Sequence, residues 1–278
     1  MPKKNGKRTI FDREKLVKAT PVKYYARDGL EIPALLTLTK QKTDKNYFIV
    51  MPHGGPNTKQ RIGYDSWAQF FVNRGINVLQ PDFRGSTGNG ASHYIAGNTQ
   101  WGKKMQDDIT DGVMWLIGEG IADPDRIAIY GASYGGYATL AGLTFTPDLY
   151  ACGVDYVGVS NIFTLLETLP PYWELGRQMM YEMIGNPETE KDLLISASPI
   201  FHVDSIKVPL FVAQGANDPR VKQAESDQIV EALSSRGVNV PYMLKEDEGH
   251  GFSNEENKFD FYSEMEKFLT KHIGIENS

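Results

Sequence analysis

The sequence predicts an α/β fold in which a mostly parallel central sheet carries helices on both faces. Short apolar runs of strand character alternate along the chain with amphipathic stretches of helical character. Strands that are buried on both faces read as near-continuous apolar runs, and their alternation with helices is typical of parallel sheets. Near the N-terminus, an Asp28–Gly29 turn signal between two β-like runs predicts an antiparallel hairpin at one edge of the sheet.

Six segments after the hairpin have the composition of buried strands: 47–52, 76–83, 126–131, 152–159, 209–215 and 240–246. The stretches between them that predict helices are 66–74, 105–120, 138–145, 224–237 and 258–272. Residues 160–205 interrupt this alternation, because they contain helical pieces and no clear strand. We expect them to form a helical insertion above the sheet edge where ligands bind in folds of this class.

The organisation of the chain predicts one domain over residues 21–278, preceded by a polar and basic N-terminal arm over residues 1–20. No Pro- or Ser-rich linker divides the chain. The N-terminus lacks the apolar core of a signal peptide, and no apolar stretch has the length of a membrane span. We therefore expect a cytoplasmic protein.

The charge balance argues against nucleic acid and anionic membranes as partners. The chain has 29 Lys and Arg against 35 Asp and Glu, a net charge of -6, whereas both partners reward clustered basic residues. The single cysteine, Cys152, excludes an intrachain disulfide, and its apolar surroundings predict a buried free thiol. No metal-ligand spacing such as H-E-x-x-H is present, so neither a metal nor a cofactor is expected.

The segment GASYGGY (131–137) matches the G-x-S-x-G pattern of a nucleophilic serine. It follows the apolar run RIAIY and precedes the helix former ATLAGL, which is the strand–turn–helix setting that such a serine needs. Gly131 and Gly135 remove Cβ clashes that would block a strained turn. At the start of the following helix, Ser133 also gains the helix dipole beside a developing negative charge. Ser133 is therefore the predicted nucleophile.

A serine hydroxyl needs a histidine to take its proton, and the chain has five histidines. In folds with this turn the chain order is Ser, acid, His, which leaves His202, His250 and His272 as candidates. His272 lies at the end of a charged C-terminal helix, and His202 precedes the strand that should carry the acid. His250 follows the last strand in a loop between Gly249 and Gly251, and it is the predicted base.

The predicted acid is Asp218, which follows the end of the strand at 209–215. Its role would be to hold the imidazole in one tautomer and to stabilise the imidazolium. An Asp immediately before a proline also serves as a helix cap, which is the alternative explanation for this residue. Three other aspartates are weaker candidates because they lie within a strand, ahead of the strand or too close to the histidine: Asp155, Asp204 and Asp247.

Two backbone N–H groups are the predicted oxyanion donors. The first belongs to Tyr134, directly after the nucleophile, and the second to Gly55 in the HGGP loop (53–56) that follows the strand at 47–52. We expect His53 of this loop to have a structural role. The candidate substrate-binding residues are Val157, Val159 and Phe163 in an apolar pocket, Tyr172 and Trp173 beside it, and Arg84 for a carboxylate. Packing is an equally good explanation for the two aromatic residues, as is a structural ion pair for Arg84.

Five motifs occur in order along the chain: HGGP (53–56), DFRGSTGNG (82–90), GASYGGY (131–137), GANDPRV (215–221) and EGHGF (248–252). Together they resemble the catalytic domain of the prolyl oligopeptidase family, and in particular its acylaminoacyl-peptidase and dipeptidyl-peptidase-like branch. The resemblance implies an α/β-hydrolase fold and hydrolysis of peptide or acyl-amide bonds through an acyl-enzyme. It also implies that Ser133, Asp218 and His250 form the triad, with Gly55 and Tyr134 as oxyanion donors.

Members of that family usually carry an N-terminal β-propeller that screens substrates by size, and this sequence has no counterpart of it. The chain is thus expected to be either a natural lone domain or an excised catalytic domain, with a propeller domain or a second copy of the chain as open partners. The expected activity is serine-dependent cleavage of short peptides. Two alternatives are a carboxylesterase that acts on small acyl esters and a non-catalytic hydrolase-like binding scaffold, against which the complete set of three side chains argues.

Overall fold

The computed structural model describes residues 13–41 and 46–275, within which eight strands form one sheet of order β1-β2-β4-β3-β5-β6-β7-β8. The strands are β1 (Thr20–Tyr25), β2 (Glu31–Thr37), β3 (Phe48–Val50), β4 (Asn77–Pro81), β5 (Ile127–Ala132), β6 (Cys152–Tyr156), β7 (Leu210–Gly215) and β8 (Tyr242–Lys245). Strands β3 to β8 are parallel to one another, whereas β1 and β2 are antiparallel to their neighbours.

Helices cover both faces of this sheet. The helices within the described ranges are α1 (Ser66–Val72), α2 (Ala91–Ile95), α3 (Lys104–Gly118), α4 (Tyr134–Phe145), α5 (Ile162–Glu167), α6 (Arg177–Ile184), α7 (Lys191–Ala197), α8 (Gln223–Ser234) and α9 (Glu255–Ile273). One buried cluster packs α3, α4 and α8 against the sheet, and a second cluster packs α1 and α9 against the opposite face. The predicted α/β-hydrolase-like layering is confirmed.

The predicted N-terminal hairpin is also confirmed. Strands β1 and β2 pair with Tyr24 opposite Ile32, and the N–H of Ala26 donates to the carbonyl of Leu30 at 2.9 Å to close the turn. The first twelve residues of the predicted arm lie outside the described residues. Its later part is bound to α1, because Val17 exchanges two hydrogen bonds with the Gln69 side chain.

Helix α4 begins four residues earlier than the sequence predicts. It starts at Tyr134 and includes Gly135 and Gly136, two residues with low helix propensity. Tertiary packing overrides that propensity, because eleven of the twelve residues of α4 are buried. Strand β6 ends at Tyr156, whereas the sequence predicts that it continues to residue 159.

Residues 160–205, which connect β6 to β7, form helices α5, α6 and α7 with short 3-10 segments and contain no strand in the structure described here. Cys152 is a free and buried cysteine, as predicted, and burial raises the pKa of its thiol. None of the helices in the described ranges is long and apolar enough to cross a lipid bilayer.

Candidate active site

Ser133 occupies the turn between β5 and α4. Its φ of 61° and ψ of -120° lie in a region that side-chain-bearing residues rarely adopt. The Ser133 N–H donates to the carbonyl of Tyr156 at 2.9 Å, and the Ser133 carbonyl accepts from the N–H of Tyr137 at 3.0 Å. The backbone of the serine is therefore bound to the end of β6 on one side and to the first turn of α4 on the other.

Two glycines make this turn sterically possible. A Cβ placed on Gly131 would lie 2.2 Å from the carbonyl oxygen of Gly135, and one placed on Gly135 would lie 2.4 Å from that of Pro52. Both distances are far below van der Waals contact. The strand, the helix and the loop after β3 thus approach one another at positions where only glycine fits.

The His250 ring and the Asp218 carboxylate form a direct hydrogen bond. Nδ1 of His250 lies 2.7 Å from Oδ2 of Asp218. The Asp218 side chain is fully buried, whereas 16% of the His250 side chain is exposed. The other carboxylate oxygen accepts the backbone N–H groups of Arg220 at 2.8 Å and Val221 at 3.0 Å. Asp218 therefore bonds the turn before α8 as well as the histidine.

This hydrogen bond determines the chemistry of the His250 ring. Because a carboxylate only accepts hydrogen bonds, Nδ1 of His250 is the donor to Asp218. In the neutral imidazole, Nε2 then carries a lone pair and can take a proton. This is the tautomer that a general base in acyl transfer requires.

The His250 loop is held in place from the sheet and from α9. Gly249 and Gly251 form an isolated antiparallel bridge around the histidine. The Glu248 carboxylate accepts the backbone N–H groups of Ser253 at 2.7 Å and Asn254 at 2.8 Å. The two ends of the loop are thereby tied to each other.

The HGGP loop lies directly beside Ser133. A Cβ placed on Gly54 would be 3.4 Å from the Ser133 Cβ, and Gly55 has a φ of 120°. His53 supports the loop through Nδ1, 2.7 Å from the carbonyl oxygen of Gly54, and Nε2, 2.8 Å from the Ser86 hydroxyl. Burial lowers the pKa of His53 to about 4. At neutral pH His53 is therefore an uncharged structural side chain, in agreement with the expectation from the sequence.

A cavity of about 290 Å³ brings several of the predicted residues together. Of the predicted site residues, Gly55, Ser133, Tyr134, Val159, Tyr172 and Trp173 line it. The neighbours of Asp218 in sequence, Arg220 and Val221, also belong to its wall. The described lining is predominantly apolar and contains Arg220 but no acidic side chain.

Sequence reasoning missed the methionines and the tryptophan of this cavity. Met179, Met180 and Met183 on α6 and Trp101 before α3 contribute to its wall. The signal was the spacing of the methionines, because Met183 lies four residues after Met179 and three after Met180, and both spacings place side chains next to each other on a helix. Trp101 follows no motif, and its position depends on how the chain folds before α3.

Three residues that the sequence predicts to bind substrate do not line this cavity: Val157, Phe163 and Arg84. Val157 is 2% exposed and packs in the cluster under α1 and α9, on the face of the sheet opposite to Val159. Its positive φ of 50° follows the end of β6. Phe163 packs against the core and against the ring of Phe201, with 6.1 Å between the ring centroids.

Arg84 is the third correction. Its guanidinium lies 2.9 Å from Asp28 and 2.7 Å from Asp108, and the residue is only 4% exposed. Both ion pairs hold the N-terminal hairpin to α3. The structural ion pair, which the sequence left as an equal alternative to carboxylate binding, is therefore the role that the contacts support. No group of three or more His, Cys, Asp or Glu side chains in the described ranges could hold a metal ion.

Asp155 on β6 is a buried carboxyl that the predicted site does not use. It is fully buried, no described group meets its oxygens with good hydrogen-bond geometry, and the backbone N–H of Gly158 is a weak donor close to them. A Cβ on Gly136, in the first turn of α4, would be 2.3 Å from its Oδ1. Burial raises the pKa of Asp155 to about 7, and the nearby backbone amide of Gly158 opposes this only in part, while the Glu225 carboxylate adds to it.

We expect Gly131→Ala to lower the free energy of unfolding. Its Cβ would overlap the backbone of Gly135, and overpacking of this kind costs on the order of 1–3 kcal/mol. Gly118→Ala is the matched control, because a Cβ there meets no atom within 4 Å. Urea unfolding checks the difference between the variants. Equal free energies of unfolding for the two variants would contradict the steric argument.

We expect Asp155→Asn to remove a pH dependence of stability. Since the pKa of Asp155 is raised from 3.8 to about 7, the folded state holds a proton that the unfolded state releases. Stability from this group is complete below about pH 4 and is lost as the pH rises to about 7. The loss is roughly 4 kcal/mol at about 1.4 kcal/mol per pKa unit.

The measurement is the free energy of unfolding at pH 4.5 and at pH 8, with Asp148→Asn as an exposed control. Asp155→Asn should gain stability relative to wild type between these pH values, whereas Asp148→Asn should not. The same difference from wild type at both pH values would show that Asp155 titrates normally.

The comparisons with known proteins identify the family of this chain. The family model described as the prolyl oligopeptidase family matches residues 63–276. Dipeptidyl aminopeptidase BIII of Pseudoxanthomonas mexicana is 45% identical in an alignment 277 positions long, and the alignment covers 96% of this chain and 40% of that protein. Dipeptidyl peptidase family member 6 of Caenorhabditis elegans is 46% identical in an alignment 278 positions long, and the alignment covers 91% of this chain and 38% of that protein.

A solved structure gives the same result at the level of the fold. A puromycin-hydrolyzing peptidase of Mycobacterium tuberculosis superposes with a TM-score of 0.88 at 27% identity, covering 94% of this chain and 40% of that chain. The chain thus spans 38–40% of the length of these relatives. Its sequence and its fold agree with the resemblance that the five motifs indicate, and the chain belongs to the prolyl oligopeptidase family.

Proposed function

We propose that this chain is the catalytic domain of a serine peptidase that cleaves short peptides through an acyl-enzyme on Ser133. The observation that carries the proposal is the 2.7 Å hydrogen bond between His250 and the buried Asp218. It orients the imidazole so that Nε2 is free to act as a base next to the loops that hold the serine. The domain comprises residues 21–278, with residues 160–205 inserted above the sheet.

In the first half of the reaction, the carbonyl oxygen of the scissile bond accepts hydrogen bonds from the N–H groups of Gly55 and Tyr134. His250 Nε2 takes the Ser133 hydroxyl proton while Oγ attacks the carbonyl carbon. The negative charge that develops on the oxygen lies at the N-terminus of α4, where the helix dipole stabilises it. Asp218 stabilises the imidazolium that forms.

In the second half, the imidazolium of His250 donates its proton to the leaving amine, and the C–N bond breaks to leave an ester on Ser133. Water then enters, His250 takes a proton from it, and the hydroxide attacks the ester carbonyl. The imidazolium returns that proton to Oγ as the bond between Oγ and the acyl carbon breaks, and the acid product leaves with the Ser133 hydroxyl restored. The two halves use the same three side chains in the same places.

The cavity beside Ser133 favours an apolar side chain on the acyl side of the scissile bond. Its wall is formed by aromatic, aliphatic and methionine side chains, and methionine adapts to irregular apolar groups. The two relatives named as dipeptidyl peptidases support peptides as the substrate class. The described lining lacks an acidic side chain that could bind a free amino terminus, so we propose that such recognition comes from outside this chain.

Hydrolysis of small esters by the same residues is the second candidate. An ester leaving group departs with less help from a proton donor than an amine does. Tyr172 and Met179 line the cavity and are more than half exposed, which leaves its rim open to small acyl esters.

Cytoplasmic location stays a prediction.

Ser133→Ala should lower kcat by about 10⁵- to 10⁶-fold with little change in the free energy of unfolding, because the triad acts as a unit. The substrates are an acylated amino-acid p-nitroanilide, an unblocked dipeptidyl p-nitroanilide and a p-nitrophenyl ester. Ser196→Ala, at an exposed serine on α7, is the control. A loss below tenfold on every substrate would exclude Ser133 as the nucleophile, and turnover of the ester alone would support the esterase.

Asp218→Asn should lower kcat by about 10⁴-fold and leave KM nearly unchanged, because an amide in this place favours the wrong imidazole tautomer. Asp204→Asn is the control, since Asp204 was a rival acid and forms an exposed ion pair with Arg236. Steady-state kinetics on the best of the three substrates measure both variants. Similar losses in the two variants would remove Asp218 from the mechanism.

A further inference from the structure

Tyr156, the last residue of β6, contacts both the nucleophile and the loop of the base. Its backbone carbonyl accepts the N–H of Ser133 at 2.9 Å. Its phenol oxygen accepts a hydrogen bond from the N–H of Phe252, two residues after His250. A Cβ on Gly251 would lie 3.6 Å from the same oxygen. One residue therefore touches the chain at Ser133 and at the residues that follow His250.

The ring of Tyr156 has a fixed position in an aromatic cluster. Phe261 stacks on it with 4.6 Å between the centroids, and Phe252 contacts it edge-on at 5.1 Å. Trp67 of α1 approaches to 6.4 Å. The residue is 6% exposed. Burial raises the pKa of its hydroxyl above the usual value of 10.0, so the hydroxyl stays protonated at neutral pH. Since α1 and α9 clamp the ring, its hydroxyl is a fixed point for the loop.

On its C-terminal side the His250 loop is also held by the buried ring of Phe252, which contacts Phe261 of α9 edge-on. Glu248 bonds the N–H groups of Ser253 and Asn254, and Asp218 bonds the His250 ring. Between these contacts the loop contains glycines on both sides of the histidine, which leave the backbone free to rotate. The hydroxyl of Tyr156 is the contact that ties this stretch to the strand that also holds Ser133.

We propose that Tyr156 is a positioning residue that sets the distance between the base His250 and the nucleophile Ser133. This inference rests on the proposed function. Tyr156 does not line the cavity that contains Ser133, so it acts through the two loops and not on the substrate. Loss of its hydroxyl leaves the Phe252 N–H without its acceptor, and a shift of about 1 Å in a catalytic group can cost about 100-fold in rate.

The test compares Tyr156→Phe with Tyr130→Phe. Tyr130 lies on the adjacent strand β5, is 2% exposed and contacts Trp67 in the same aromatic cluster at 5.0 Å. Its hydroxyl has no hydrogen bond to the His250 loop in the described structure. Each variant loses one buried hydroxyl, so effects on the core are matched, while only one of them loses the bond to the loop.

The readouts are kcat and KM for the best of the three substrates and the rate of labelling by a fluorophosphonate, which reacts with an activated serine. Tyr156→Phe should lower kcat and the labelling rate by about 10- to 100-fold with KM within about twofold of wild type. Tyr130→Phe should stay within about twofold on all three. Equal effects of the two variants, or a rise in KM without a fall in kcat, would overturn the proposal.

Ser133→Ala runs in parallel and separates the two proposals. If it labels and turns over substrate as wild type does, the proposed function fails. If it is inactive while Tyr156→Phe behaves like Tyr130→Phe, only the role of Tyr156 fails. Hydrogen exchange of the Phe252 amide in the wild type gives an independent check. We expect strong protection that Tyr156→Phe loses, and unprotected exchange in the wild type would show that the bond does not form.

Discussion

Close approach of three backbones around Ser133 is the constraint on which the site depends. A Cβ at Gly131 or at Gly135 would fall within 2.4 Å of a backbone oxygen, which a close-packed interior does not accommodate. Because these two residues carry no side chain, β5, the loop after β3 and the start of α4 can meet at one point. That meeting brings the serine, the N–H groups at a helix N-terminus and the HGGP loop around a single cavity. Backbone packing therefore sets the position of the serine relative to the N–H groups that would bind the oxyanion.

Two buried aspartates at this edge of the sheet, Asp218 of the candidate site and Asp155 next to it, differ in the hydrogen-bond donors around them. Asp218 receives hydrogen bonds from two backbone N–H groups and from His250, so its negative charge is compensated within the fold. Asp155 has only the weak donor of the Gly158 backbone beside it, so its charged form is costly. Below about pH 7 Asp155 is uncharged and does not compete with a developing oxyanion for the positive end of α4. The same sheet edge thus holds one carboxylate suited to charge and one carboxyl suited to remaining neutral.

Chain order and strand ends were sufficient to name the candidate residues of the site. Parallel strands end at one edge of a sheet, so residues that follow β5, β7 and β8 meet there whatever their separation in sequence. This is why Ser133, Asp218 and His250 could be named from the sequence, and the hydrogen bond between the last two has the expected partners. The hairpin was predictable for a similar reason, since its turn carries a local signal.

The cavity wall was less predictable, because it depends on where strands stop and which way side chains then point. The sequence extends β6 to residue 159, which would place Val157 and Val159 on one face. In the structure β6 ends at Tyr156 and Val157 has a positive φ, so the two valines pack in clusters on opposite faces. The methionines of α6 come from an insertion without a strand pattern, and no local rule relates its helices to the serine.

The geometry of the candidate site also depends on parts of the fold that contribute nothing to the cavity. Apolar packing tolerates small shifts, whereas a hydrogen bond weakens steeply with distance and angle. The His250 loop is therefore located by hydrogen bonds at Asp218, Glu248 and Tyr156. The ring of Tyr156 is in turn held by Phe261 of α9. Helix α9 packs on the face of the sheet opposite to α4, and it reaches the His250 loop through the ring and hydroxyl of Tyr156 and through Asn257, which donates to the Glu248 carboxylate.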